Sequence, residues 1–202
     1  MRNPIHKRLE NLAAWQHLTF MACLCERMAP NFALFCQMTE QPQAAKVFNN
    51  VLGLVWESLT VKGAKINFEN QLEKLEEIIP DVNQYDFFGV VPALDACEAL
   101  GELLHAVIAG EYLEKSVRVS QISLTTVVSL LETENDREFS PDELKDNELI
   151  EGELDLQWQI YRLLKDCEER DIALINELRN ELRTEGISNI GIKNNQIGRA
   201  HV

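Results

Sequence analysis

No run in this 202-residue chain approaches about 18 consecutive apolar residues, which leaves no candidate for a membrane-spanning helix. There is no Walker loop, no glycine-rich dinucleotide turn, no His-Glu-x-x-His and no paired Cys-x-x-Cys. The usual phosphate, dinucleotide and zinc signatures are therefore missing. Basic residues are also short: Lys and Arg total 19 against 33 Asp and Glu, a formal net charge of −14. Such a surface repels phosphate backbones and anionic lipid, so nucleic acid and membranes are excluded as partners. No secretory apolar region follows the opening Met1-Arg2-Asn3-Pro4-Ile5, which points to a cytoplasmic protein. No segment of four or more residues alternates as a strand, and no internal repeat or low-complexity tract interrupts the chain.

The five cysteines, Cys23, Cys25, Cys36, Cys97 and Cys167, form an odd set. Nearly all sit in apolar helical stretches and read as small core side chains in a reducing compartment. Cys23 and Cys25 are two apart, so on a helix they point in different directions and make no redox or zinc pair.

What is present is helical periodicity from end to end. Asn3-Pro4 reads as a cap followed by proline at the first helical position. Ala14, Leu18, Met21, Cys25 and Met28 then repeat at helical spacing up to Pro30, which is expected to end the run. A short helix is expected over Asn31–Thr39, another from Pro42 towards Gly63, and one from Asn67 to Ile79. The aromatic linker Asp81–Gly89 is expected to pack down. Further helices are expected from about Val91 to Ala109 and from about Glu111 to Glu132. Ser140-Pro141-Asp142-Glu143 is a capping box, the strongest start signal in the chain. After Asn147 one long helix is expected to run to about Thr184, closed by Gly186. The sum is an all-α, single-domain bundle of about seven helices over residues 1–192, with a tail at 193–202. Residues 197–202, Ile-Gly-Arg-Ala-His-Val, match what a common sequencing-adapter stretch encodes, so they are read as foreign.

Four long blocks carry a resemblance: NPIHKRLENLAAWQHLTFMACLCERMAPNFALFCQ, WESLTVKGAKINFENQLEKLEEIIP, GVVPALDACEAL and LLKDCEERDIALINELRNELRTEGISNIGI. Together, over about residues 3 to 192, they resemble the YjaG-like proteins of gammaproteobacteria, classed as domain of unknown function 416. The resemblance implies an all-α cytoplasmic fold and no activity, cofactor or site residue.

A few polar residues stand out. Glu102 and His105 are three apart on one helix, with Asp95 and Glu98 towards its N-terminal end. They are low-weight metal candidates, because di-iron bundles need a second such pair and two more glutamates. The stripe reads first as a solvated face. Asp171 interrupts the apolar seam of the last long helix. It is expected to be a buried carboxylate paired with Arg27 or Arg170. Ser116, Ser120, Ser123 and Thr126 recur at helical spacing and read as a close-packing stripe rather than nucleophiles. His17 reads as a satisfied histidine at the core edge, and Trp15, Trp56 and Trp158 as core anchors.

The functional expectation is a non-enzymatic protein without cofactor, acting through a protein partner or through self-association. The alternative is a metal-dependent or small-ligand enzyme using Asp95, Glu102 and His105.

Overall fold

The fold is known from a computed structural model that describes residues 3–194. The supposed adapter residues 197–202 lie outside the described residues. Asn3 Oδ1 accepts the Ile5 backbone N–H at 3.1 Å and starts α1, Ile5–Arg8. A 3-10 turn, Leu9–Asn11, follows, and Leu12 turns the chain to an extended ψ of 144°. Thus α1 is separate from α2, Ala14–Met38, which begins where Gln16 Oε1 accepts the Ala13 N–H at 2.6 Å.

α2 passes straight through Pro30. Proline inside a helix removes one ladder bond and costs about 3 kcal/mol. Beyond it, Phe32 and Phe35 are almost completely buried. Phe32 meets Phe48 at 5.2 Å between ring centroids, and Phe35 meets Tyr85 at 5.0 Å. Each buried aromatic is worth about 1.5–3 kcal/mol, so the continued apolar stripe outweighs the break. The expected linker aromatics, Tyr85 and Phe87, do pack onto this cluster.

α3 spans Pro42–Thr60 and α4 spans Phe68–Ile78, the latter capped by Asn67, whose side chain accepts from Asn70 N at 3.0 Å. α5, Val90–Ala109, and α6, Tyr112–Asn135, form a helical hairpin across Gly110 and Glu111, which have φ of 89° and 59°. The capping box forms as expected and opens α7, Pro141–Lys145. α8 is Glu148–Lys165, capped by Asn147.

The chain then departs from expectation a second time. The stretch after Asn147 is two helices, because α9 restarts at Ile172 and runs to Glu185. Asp171 is its cap and accepts from Leu174 N at 3.1 Å. Gly186 closes α9 with φ of 58°. The merger at Pro30 and the split before Asp171 offset each other, so the described residues hold seven helices of eleven residues or more, with the short α1 and α7 beside them. The fold is all-α; among the described residues the only β feature is an isolated bridge between Ile187 and Lys193.

α2 is the central element and touches α3, α5, α6, α8 and α9. One continuous core runs from Ile5 to Leu178, with Trp56 wholly buried. Trp15 and Trp158 are only half-buried against that core rather than within it. A smaller cluster joins Val127, Leu131, Leu144 and Ile150. No helix of the described residues is long and apolar enough to cross a membrane.

Candidate functional site

The serine–threonine stripe of α6 faces inward, and all four residues are fully buried. Small side chains let α2, α8 and the N-terminal segment come close, but packing is only half their role. Every hydroxyl has a cross-helix partner. Ser116 Oγ lies 2.8 Å from His17 Nδ1, and Ser120 Oγ lies 3.0 Å from His6 Nε2. Ser120 also donates to Gln157 Oε1, which accepts Asn3 Nδ2 at 3.1 Å. Ser123 donates to Glu153 Oε1, and Gln157 Nε2 donates to the same oxygen at 3.1 Å. Glu153 Oε2 accepts Arg27 Nε at 2.8 Å. Asn189 Nδ2 donates to the Ser123 carbonyl at 2.9 Å, and Asn31 Nδ2 donates to Asn189 Oδ1 at 2.9 Å. Thr126 has Asp95 Oδ2 at 2.8 Å and the Ile122 carbonyl at 2.9 Å as competing acceptors.

The result is a polar seam that ties Asn3, α1, α2, α5, α6, α8 and the turn at Asn189 together. Its two serine–histidine pairs were invisible in sequence, since 99 and 114 residues separate the partners. Their chemistry is constrained. Burial pushes His17 down to about 4, with a hydrogen bond to the Leu12 backbone pulling the other way. Burial also lowers His6. The one proton of Ser120 is directed at Gln157, which leaves His6 to donate to it rather than to take its proton. Among the side-chain hydrogen bonds of the described residues, no carboxylate orients either imidazole, as a nucleophilic triad needs. Four thiols are buried and held above the ordinary range by burial, Cys36 at about 12. Cys167 is half-buried.

The sequence-nominated residues fall apart in space. At about 1.5 Å rise per residue, Asp95 and His105 sit about 15 Å apart along α5, too far to share one ion. Glu102 is held by Lys115 at 2.9 Å, and His105 is exposed. No group of three or more His, Cys, Asp or Glu side chains converges on a metal-sized point among the described residues. Asp95 is not on a solvated face. It is half-buried, and burial is the largest cause raising its carboxyl from 3.8 to about 6. Burial of α5 extends round the helix through its small residues Ala93, Ala96 and Ala99.

Asp171 and Arg170 require correction. Both are exposed, and Asp171 is a helix cap rather than a buried ion. Asp, like Ser, Thr and Asn, satisfies the free N–H groups of a helix start, which is what a broken seam needs. Arg27 does hold a buried carboxylate, but that carboxylate is Glu153. A signal for it existed: Ile150, Glu153, Gln157, Ile160 and Leu164 form one unbroken stripe at three- and four-residue spacing, and all five are buried.

Two surface clefts flank α9. One lies against α8 and is lined by Leu156, Leu163, Leu178 and Leu182, with Glu181 and Glu185 beside them. The other lies between α3, α4 and α9 and carries Lys74, Arg179 and Arg183.

The fold and seam describe a helical protein of a family whose model, "Protein of unknown function (DUF416)", matches residues 4–193. The chain belongs to that family. It is 71% identical over 196 residues to an uncharacterised protein of Haemophilus influenzae, covering 97% of this chain and 100% of that one. It is 56% identical over 192 residues to the uncharacterised protein YjaG of Escherichia coli, covering 95% and 97%. A solved structure of a DUF416 family protein from Shewanella baltica superposes with a TM-score of 0.86 at 31% identity, covering 95% of this chain and 100% of that one.

Proposed function

We propose that this protein is a cytoplasmic, non-enzymatic helical protein that binds a basic partner protein along the cleft between α8 and α9. The working unit is taken as one domain over residues 1–192, with 193–202 as a tail. The make-up of the cleft carries the reading. Leu163 is 42% exposed beside Leu156 and Leu182, and the carboxylates Glu181 and Glu185 stand at the edge. The hollow is only about 80 Å³, which suits inserted apolar side chains rather than an enclosed metabolite. An amphipathic helix with apolar anchors and flanking Lys or Arg matches both the groove and the charge. Self-association is disfavoured by comparison, since two copies each carry −14.

The test is fluorescence anisotropy with two labelled helical peptides, one of leucine and lysine and one of leucine and glutamate. The basic peptide should bind in a salt-sensitive way, and Leu163→Asp should abolish that binding. Equal binding of both peptides, or unchanged binding to Leu163→Asp, refutes the reading. Light scattering after size exclusion adds a second check. A dimer lost on Leu163→Asp would assign the cleft to a second copy instead.

A further inference from the structure

The cleft between α3, α4 and α9 is basic on an otherwise acidic molecule, as is the hollow lined by Lys7, Arg8 and Lys145. Lys74, Arg179 and Arg183 line it against one acid, Glu57. Arg183 is neutralised by Glu26, at 2.8 Å, and the same Glu26 oxygen accepts Trp56 Nε1 at 2.9 Å. That carboxylate holds Arg183 and the Trp56 indole, and among the described residues no carboxylate is bonded to Arg179, one helical turn before Arg183. Arg179 is left over. It has no ion pair among the described residues, its Nε is buried without an acceptor, and its guanidinium lies 6.0 Å from the centroid of the buried Trp56 ring. Burial and the neighbouring Arg183 disfavour its charged form, and the nearby Glu26 offsets them in part.

Native proteins leave few buried polar atoms unpaired, and a guanidinium that lines a cleft without a paired acid is open to one from outside. A partly desolvated cation beside another cation is suited to receive an anion. The α3 wall offers Val47, Leu54 and Val61 among the polar Asn49, Asn50 and Thr60, with Gln71 on α4, and the space is about 980 Å³, within the range of ligand sites. We infer that this cleft is a binding site for a small amphipathic oxyanion, a carboxylate or phosphate head on an apolar body, with Arg179 as its anchor. The head takes two parallel N–H donors from the planar guanidinium. The body lies along the α3 wall. The inference is independent of the α8–α9 reading, because it uses other residues and another kind of ligand.

Isothermal titration calorimetry on the full chain tests it with four probes: octanoate, octyl phosphate, inorganic phosphate and octan-1-ol. At least one of the two amphipathic anions should bind, and both phosphate alone and the alcohol should bind at least tenfold more weakly than it. Arg179→Met keeps the apolar stem, deletes the charge and should weaken binding tenfold or more. Gly53→Glu is the second variant. A side chain there meets nothing within 4 Å, and the added carboxylate faces the cleft, so the fold is kept while the anion is repelled. Lys145→Met is the control, because Lys145 lines a different basic hollow with Lys7 and Arg8. The inference is overturned if neither amphipathic anion binds. It is also overturned if phosphate or octanol binds as well as they do, or if Lys145→Met weakens binding while Arg179→Met and Gly53→Glu do not.

Discussion

Asp95→Asn is expected to make this protein more stable at neutral pH. Burial is the main reason its carboxyl titrates near 6; the Thr126 hydroxyl pulls it down, Glu98 raises it and Arg118 lowers it. The hydrogen bonds give the same answer. Thr126 has one proton and two acceptors, Asp95 Oδ2 and the Ile122 carbonyl. When Asp95 is protonated it can donate to Thr126, which then donates to Ile122, and every group is satisfied. An asparagine amide donates in the same way at every pH. The folded value lies above the ordinary 3.8, so the folded state binds more protons than the unfolded chain between 3.8 and about 6. Asp95 therefore removes stability as pH rises through that window. The ceiling is about 3 kcal/mol at about 1.4 kcal/mol per decade, and partial hydration of a half-buried carboxylate brings it to about 1.5 kcal/mol. For a chain of this length that is a gain in Tm of roughly 3–6 °C at pH 8. The gain should shrink to nothing as pH falls to 4. Urea melts of the two proteins between pH 4 and pH 8 provide the check. The reasoning fails if the variant is equally or less stable at pH 8, or if its advantage does not shrink with acid.

His17 gives the opposite slope: its folded value of about 4 lies below the ordinary 6.5, so stability falls as pH drops from 6.5 towards 4. His17→Gln should flatten that limb in the same urea series, and an unchanged limb would refute the assignment. Iodoacetamide should label one thiol of five in the native protein, Cys167, and all five in guanidinium; mass spectrometry of the intact chain counts them. Arg27→Ala leaves Glu153 buried without its cation and should cost about 3–5 kcal/mol, whereas Arg27→Ala with Glu153→Gln should recover part of it. Asp171→Ala should cost only about 1 kcal/mol, the worth of a helix cap, and a loss above 3 kcal/mol in thermal melts would restore the buried ion pair.

Helix positions were legible where the chain carries its own punctuation. Asn67, Ser140 with Glu143, and Gly186 are local signals, and each forms the cap its residue type promises. The two errors share a cause. Pro30 and Asp171 are also local signals, but whether a helix continues depends on what lies beyond. At Pro30 the answer was Phe48 and Tyr85, which are distant in sequence. The polar seam was hidden for the same reason. A buried serine reads as a spacer until Gln157 or Glu153 is known to face it. The stripe from Ile150 to Leu164 did announce two polar residues on an apolar face, and only the partner helix was missing.

The break before Asp171 is also what places the α8–α9 and α3–α4–α9 clefts. A continuous helix from Glu148 to Glu185 would be about 57 Å long at 1.5 Å per residue. A compact chain of this size has a radius of gyration near 16 Å and is about 40 Å across, so one end would project into water. The apolar stripe Ile160, Leu164, Ile175, Leu178 could not then stay on one core. Splitting it lets α9 take its own direction. Ile175 and Leu178 return to the core, Leu182 meets α8, and the next positions round the helix, Arg179 and Arg183, are carried against α3 and α4. Both candidate surfaces thus depend on six residues, 166–171, that join the helices. Shortening that connection should disturb the two clefts together, along with the bond from Gln16 Nε2 to the Cys167 carbonyl, while the Ser120–Gln157 and Ser123–Glu153 bonds between α6 and α8 remain.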